Sequence, residues 1–328
     1  MKKVLIIFGG NSFENQVSKS SAKCILENID YNLFEVTAVY IDKENWYLFN
    51  EKPNVLVKED NYWCKEKNSI NNIISFLKEF DVVFPILHGE NGEDGRIQGM
   101  LDLFNIKYVG SKTSASVIGM DKELAKLVFQ ANDIPIVPYH IITSKKFNYS
   151  ELEKKLNYPL IVKPANGGSS CGITKVNNRK ELKNAIDIAL RYDTKIIAEK
   201  YIRGRELECA ILETDKIYTS EIGEISFTND FYDYETKYLN NEAKLIIPAK
   251  LPTKTKKQIK QYAKKAFIKI GARNLSRVDF FYDEDNNKIY LNEINTIPGF
   301  TNSSMYPKLW ENQKFFSKDL ITNLIENA

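Results

Sequence analysis

The sequence predicts an α/β protein, with an N-terminal open parallel sheet followed by a second, smaller region built on strands and hairpins. Three observations carry this. Roughly the first hundred residues alternate short apolar runs with helical stretches, the pattern of strand–helix units. A glycine–serine loop at residues 166–172 sits between two strand-like runs. Residues 274–307 read as two strands joined by a polar turn, with carboxylates at strand spacing.

Composition narrows the class. A chain of 328 residues is long enough for two or three domains with cores of their own. Hydrophobic content of 43% and charged content of 27% are those of an ordinary globular protein. The 46 basic and 43 acidic residues leave a net charge of +3, and the lysines are interspersed with glutamates. No basic stripe results, so nucleic acid is not expected as a partner. No apolar run approaches the length of a membrane span. The start, MKKVLIIFGG, superficially resembles a signal peptide. Its apolar run covers only residues 4–8 and no small-residue cleavage site follows, so a first buried strand is the expectation. Cys24, Cys64, Cys171 and Cys209 form no CxxC pair, which points to reduced thiols in a cytoplasmic protein. With only two histidines, His88 and His140, a histidine-rich metal site is excluded.

In chain order, residues 4–8 form a buried strand ending at Gly9-Gly10, and residues 14–27 a helix. Strands are expected at 34–41, 46–49 and 82–87, with a polar excursion through 65 and a helix at 71–80. Ligands of such a sheet bind beyond the carboxyl ends of its strands, where Gly9-Gly10 and His88-Gly89 lie. The polar turn ENGEDG precedes a helix at 96–104, and residues 109–113 read as a linker. A helix at 121–131 and a short strand within 135–143 open the smaller region. There, strands at 160–164 and 173–176 flank the loop NGGSSCG, giving a hairpin flap. A helix at 178–191 and strands at 195–200, 206–212 and 217–222 follow. Residues 229–246 lack a clear period and read as a long functional loop. The lysine-rich helix at 254–270 is expected to present a solvated basic face, and a closing helix covers 318–327.

In the stretch 274–307, Glu293 and Asn295 are two residues apart and so share a strand face. Asp279 approaches that face from the partner strand, and Arg277 lies two residues before it. Two carboxylates and an amide oxygen make an all-oxygen set, which suits magnesium better than zinc. The plain alternative is a hairpin with a solvated acidic end. The loop from Gly167 to Gly172, with Ser169 and Ser170, offers N–H groups and hydroxyls to phosphates. It is not a Walker A loop, since Ile173-Thr174 stands where Lys-Ser/Thr is required. Lys163 ends the strand before it, and with Lys122 it is a candidate to neutralise phosphate charge. Glu199, Lys200 and Glu206 mark a strand end and the next strand start, a place for adenine and ribose contacts. Glu14, just after the first turn, either holds an ammonium or favours a helix N-terminus. His88 reads more simply as a satisfied loop histidine.

Six segments taken together resemble one family. FGGNSFENQVSKSSA, HGENGEDGRIQG, GMDKELAK, VKPANGGSSCGITKV, FYDYETKY and SRVDFFYD…NEINTIPGFTNSSMYPKLWE are similar, in order, to the D-alanine–D-alanine ligases, which are ATP-grasp enzymes. The resemblance runs from residue 4 to about residue 310. It implies an N-terminal α/β domain at 1–111, then an ATP-grasp fold of two α+β domains at 112–200 and 201–328. It implies ATP, two D-alanines and magnesium as ligands, with two metal ions and manganese as a substitute, and a homodimer as the common assembly.

Residue by residue, the resemblance makes Asp279, Glu293 and Asn295 the magnesium ligands. Lys122 and Lys163 become phosphate contacts, and Glu199, Lys200, Ile202 and Glu206 the adenine and ribose region. Glu14 would hold the first D-alanine's ammonium, with Ser169 and Tyr238 linking to it on closure. Lys237 would lie near the transferred phosphate and His88 in the substrate pocket. Arg277 and the Gly299 N–H would form the oxyanion site, and Ser304 and Met305 the pocket for the second D-alanine. The chemistry suits these types: a carboxylate is a poor acyl donor, so it is first phosphorylated and then attacked by an amine. Each oxyanion donor is worth about 3–4 kcal/mol. Related ligases make D-Ala–D-lactate or D-Ala–D-serine. Tyr238 argues against the first, and an apolar Met305 against the second. Two residues depart from the family: Asn15 stands where histidine or arginine is usual, and Gly168 where glutamate is common. The alternatives left open are a D-Ala–D-Ser ligase, another carboxylate–amine ligase of the same superfamily, and a nucleotide-binding module without catalysis.

Overall fold

A computed structural model describes residues 1–144, 146–226 and 244–328. The described chain is built on three sheets. The N-terminal part runs β1 (Lys2–Gly9), α1 (Asn15–Asn28), β2 (Phe34–Asp42), β3 (Asn45–Phe49), α2 (Pro53–Leu56), β4 (Lys67–Ser69), α3 (Ile73–Leu77), β5 (Val82–Pro85) and α4 (Arg96–Leu103). Residues Val4 to Phe8 are wholly buried, as the continuous apolar run requires of a strand covered on both faces. The sheet order is β4-β3-β2-β1-β5. β1 is parallel to β2 and to β5, whereas β3 and β4 add an antiparallel edge. The expected parallel sheet is therefore parallel over β2, β1 and β5 and antiparallel at its β3–β4 end. The polar excursion before residue 65 holds α2 and a 3-10 turn at Tyr62–Cys64, and both tuck apolar side chains, Leu56 and Tyr62, into the core. The chain leaves β1 toward β2 on one side and returns at β5 on the other. The carboxyl ends of β1 and β5 thus flank the switch point where such sheets bind ligands.

The middle of the chain continues with α5 (Thr113–Met120), α6 (Lys122–Gln130), β6 (Tyr139–Ile142), α7 (Tyr149–Leu156), β7 (Leu160–Pro164), β8 (Thr174–Val176), α8 (Arg179–Ala189) and β9 (Ile196–Lys200). The linker expected at 109–113 leads directly into α5, which sequence reading missed. Asp121 then caps α6, its carboxylate accepting from the N–H groups of Glu123 and Leu124. The second sheet has the order β6-β9-β7-β8 and is antiparallel throughout. β7 and β8 form the expected hairpin around the glycine–serine loop. α7 and α8 cover the sheet through Leu152, Leu156, Leu182 and Ile186.

The last part comprises β10 (Arg205–Glu213), β11 (Ile217–Ser226), β12 (Lys244–Ile246), α9 (Thr253–Ile270), β13 (Leu275–Asp283), β14 (Lys288–Asn295), α10 (Met305–Glu311) and α11 (Ser317–Glu326). Its sheet order is β12-β11-β10-β13-β14, again antiparallel. Of the loop expected at 229–246, residues 229–243 lie outside the described residues, and the last three form β12, a short edge strand. α9 buries Ile259, Ala263, Phe267 and Ile270 on this sheet and leaves most of its lysines exposed, so the solvated-face reading stands. No helix among the described residues is long and apolar enough to cross a membrane.

Core packing divides the chain differently from the expected boundaries at 112 and 200. Ala115, Ala125, Phe129 and Ile134 join the core of the third sheet, with Leu291 and Ile294, rather than that of the second. α10 and α11 pack into the N-terminal core, where Leu309, Leu320 and Ile325 meet Val4, Ile25 and Phe34. Apolar faces on 113–137 and 305–326 are satisfied by sheets distant in sequence, which local patterning does not register.

Candidate active site

The geometry starts from strand pairing. Across β13 and β14, Arg277 is opposite Asn295 and Asp279 is opposite Glu293, so these four side chains share one face. Glu208 of β10 is opposite Asp279 on the other side. Arg277 donates to both oxygens of Asp279, from Nε at 2.8 Å and Nη2 at 2.7 Å, and its Nε lies 3.0 Å from Glu208. Against the penalty of burial, Asp279 and Glu208 hold the guanidinium well above its ordinary pKa. The Asn295 amide also donates to Asp279, at 3.0 Å. The register then slips between Asp279 and Phe280, a β-bulge that lets Asn292 line the same cavity as Glu293.

The cavity over this face measures about 530 Å³, enough for a nucleotide. Of the residues singled out in the sequence, Lys122, Lys163, Ser169, Ser170, Glu199, Lys200, Ile202, Glu206, Arg277, Asp279 and Glu293 line it. The two lysines arrive from different elements, Lys122 at the start of α6 and Lys163 in β7. Lys122 donates to the Gly167 carbonyl at 2.7 Å and lies 3.8 Å from Glu293. Burial lowers its pKa, with Glu293 opposing. Lys163 is 2.8 Å from Glu199 and 3.4 Å from the Asn292 amide oxygen. Lys126 of α6, which sequence reading did not select, reaches Glu199 at 2.8 Å. Although burial works against it, the two lysines hold Glu199 down at about 2. Its carboxylate is therefore committed to orienting lysines.

At the flap, the Ser169 hydroxyl donates to the Glu14 carboxylate, joining β7–β8 to the loop after β1. Gly168 lies against the same carboxylate: a β-carbon there would sit 2.4 Å from Glu14 Oε2. The departure to glycine at 168 thus makes room for Glu14. The other departure, Asn15, donates to the Gly10 carbonyl at 2.5 Å and tightens the turn after β1.

The remaining candidates lie where the N-terminal loops meet residues 296–304. His88 is buried. Its Nδ1 is 3.1 Å from the Ile297 carbonyl, and Ser21 Oγ is 3.0 Å from its Nε2. A carbonyl only accepts, so Nδ1 carries the proton and Nε2 accepts from Ser21. Burial lowers the imidazole pKa, which keeps it neutral. Glu93, missed in the sequence, accepts from the N–H groups of Gly89 at 2.9 Å and Ile297 at 3.3 Å. Burial, reinforced by the Glu14 charge, pushes it up to about 8. Gly299 approaches Ser304 closely, a β-carbon there lying 3.0 Å from the hydroxyl. Met305 was expected beside a second amino-acid pocket. Its side chain instead turns into the core, where a β-carbon at Gly223 would meet its sulfur at 2.5 Å. Lys237 and Tyr238 lie outside the described residues.

Comparison with known proteins assigns the lineage. A family model described as D-ala D-ala ligase N-terminus matches residues 3–111, and one described as D-ala D-ala ligase C-terminus matches residues 128–326. The chain belongs to the D-alanine–D-alanine ligase family. Among curated relatives, the D-alanine–D-alanine ligase of Acetivibrio thermocellus is 42% identical, covering 100% of this chain and 96% of that protein. That of Prochlorococcus marinus is 40% identical, with 100% and 99% covered. Among solved structures, a D-Ala:D-Ser ligase from Enterococcus faecalis superposes with a TM-score of 0.88 at 35% identity, covering 99% of this chain and 98% of that one. The D-alanine–D-alanine ligase of Coxiella burnetii gives 0.85 at 33% identity, with 100% and 95% covered.

Membership of this ATP-dependent family implies ATP and magnesium as ligands. The donor set fits a hard cation: Asp279 and Glu293 face each other, and Asn295 adds an amide oxygen. Among the described residues no three His, Cys, Asp or Glu side chains gather as a metal cluster. Lys126, Glu208, Asn292 and Glu93 carried no distinctive local signal. Only Glu208, at the same-face spacing from Glu206, was open to period-two reading.

Proposed function

We propose that the chain joins two D-alanines into D-alanyl-D-alanine at the expense of ATP, through an acyl phosphate, for peptidoglycan precursor synthesis. The observation that supports this most is the convergence of Lys122, Lys163, Asp279 and Glu293 on one cavity, one of whose lining residues, Ser169, is bonded to Glu14. A phosphate-binding, metal-binding cleft beside a carboxylate able to hold an ammonium suits activation of an amino acid by ATP.

In this reading Glu14 binds the ammonium of the first D-alanine, directing its carboxylate toward the γ-phosphate. Lys122 and Lys163 bind phosphate oxygens, with Glu199 holding Lys163 in place. Lys200, Ile202 and Glu206 border the adenine and ribose. Asp279, Glu293 and Asn295 would hold magnesium, two ions with manganese as a substitute, which offsets phosphoryl charge when bound. The Ser169–Ser170 loop covers the phosphates and excludes water, which otherwise hydrolyses the acyl phosphate. The second amine then attacks. Arg277 and the Gly299 N–H stabilise the oxyanion, and Ser304 borders that amino acid. Lys237 and Tyr238, which lie outside the described residues, keep the roles the resemblance assigns them, near the transferred phosphate and as a partner of Glu14. Neutral His88 fixes the Ile297 peptide and hence the turn carrying Gly299. We further propose three functional units, at 1–111, 112–200 and 201–328, a homodimer, and a cytoplasmic location.

A second reading is a D-Ala–D-Ser ligase, favoured by the likeness to the Enterococcus faecalis enzyme; the core burial of Met305 removes the argument that side chain made against it. Incubation with ATP, magnesium and D-alanine, with D-serine and D-lactate in parallel, separates the two. D-alanyl-D-alanine as the main product is expected. A predominance of D-alanyl-D-serine would favour the second reading, and phosphate release without any condensation product would overturn both.

A further inference from the structure

We propose that Phe13 is a positioning residue for the flap, stacking on Tyr192 so that the loop bearing Glu14 and the base of the glycine–serine loop move together. This rests on the ligase reading for its catalytic consequence, though not for the contact itself. Phe13 is 75% exposed, so its ring is not held by core packing. Among the described residues its ring pairs with Tyr192, with centroids 5.9 Å apart and planes at 64°, the edge-to-face arrangement that aromatic pairs favour.

Tyr192 and Asp193 follow α8 and grip both ends of the flap. Asp193 accepts from the Asn166 N–H at 2.8 Å and from its side-chain amide at 3.0 Å, which fixes the entry to the loop. The Tyr192 ring lies over Gly172 at the exit. A β-carbon there would be 2.7 Å from the ring, and φ is +72°, so both space and backbone require glycine. At the tip, Ser169 bonds to Glu14. Two consecutive N-terminal residues thus hold the flap at two points, Glu14 at the tip and Phe13 at the base. Phe13, Glu14, Gly168, Cys171 and Tyr192 line one further cavity, of about 470 Å³, which reaches Glu14 from the side of Phe13. Because Tyr192 borders Gly172 and Asp193 holds Asn166, the ring contact is a second tie between the N-terminal loop and the base of the flap, and it favours the arrangement in which both ties are made.

Four variants test this: Phe13→Ala, Phe13→Tyr, which keeps a ring, Tyr192→Ala, and the Phe13→Ala/Tyr192→Ala double variant. Three readouts are taken: the ratio of ADP released to dipeptide formed, the KM for D-alanine, and the rate at which iodoacetamide alkylates Cys171, followed by peptide mass spectrometry. Phe13→Ala is expected to raise the KM, the ADP-to-dipeptide ratio and Cys171 alkylation by about twofold to tenfold, the range of one aromatic pair. Phe13→Tyr should restore all three, and the Phe13→Ala/Tyr192→Ala double variant should be no worse than the worse single one. Cys171 alkylation in Phe13→Ala equal to wild type would overturn the proposal. Wild-type protein that forms no dipeptide, while Phe13→Ala still speeds alkylation, would sink the ligase reading and leave the contact supported.

Discussion

Arg277 closes on Asp279 with two parallel hydrogen bonds, at 2.8 and 2.7 Å, from two residues earlier on the same strand. This bidentate pair puts a permanent cation beside the proposed metal ligand and points the guanidinium across the sheet. Lysine offers a point charge without the planar fork. Arg277→Lys is therefore expected to lower dipeptide turnover at saturating substrates by about a hundredfold, the usual loss for one oxyanion donor. It should also lower the magnesium concentration needed for half-maximal rate, since Asp279 is less neutralised. A magnesium titration of turnover checks both, and unchanged turnover would remove Arg277 from the oxyanion site.

Glu199 is gripped by Lys126 and Lys163 at 2.8 Å each, all three being buried. Glu199→Gln leaves two buried ammonium groups without a counter-charge, which is expected to cost about 3–5 kcal/mol in denaturant unfolding. The pH dependence follows from the sign of the shift. Glu199 is held at about 2, below the ordinary 4.5, so its contribution is present above 4.5 and is lost as pH falls toward 2. Wild type should lose stability in that window, and Glu199→Gln should lose less. Parallel acid-unfolding curves would contradict the assignment.

Glu93 behaves in the opposite sense. Its pKa is raised from 4.5 to about 8, so the folded protein keeps a proton that the unfolded chain releases. Its contribution is full below 4.5 and declines as pH rises from there to 8. Glu93→Gln cannot ionise. Its melting temperature relative to wild type should therefore increase between pH 5 and pH 8. A difference that stays flat across that range would show that Glu93 titrates normally.

Met305 is 4% exposed and packed against Gly223. Placing a charge there buries it without a partner, so Met305→Arg is expected to destabilise the fold by about 3 kcal/mol or more rather than switch the second substrate to D-serine. Thermal unfolding together with product analysis on D-alanine and D-serine decides it. A stable variant that makes D-alanyl-D-serine would show that the side chain opens into the substrate pocket.

The proposed metal set was legible because a strand's period of two is local. Once residues 274–295 read as two strands, Asp279, Glu293, Asn295 and Arg277 had to fall on one face. Lys163 at a strand end and the hairpin around Gly167–Gly172 were legible for the same reason. Asn292 was not, because its place depends on a bulge, a property of the pairing between strands. Lys126 was not, because one lysine among many on a helix carries no mark of its partner. α5 escaped notice because its buried residues, Ala115 and Ser116, are small and match a sheet beginning far downstream.

By itself, then, the sequence determined the order of strands and helices, the glycine–serine hairpin and the face shared by the acidic residues, since each follows from periodicity within a few residues. Only the tertiary structure decided that Ser169 meets Glu14, that Glu93 and His88 hold the peptide of Ile297, and that Met305 faces the core. Those contacts join residues up to 209 positions apart, and they are fixed by which apolar faces bury one another rather than by any local pattern.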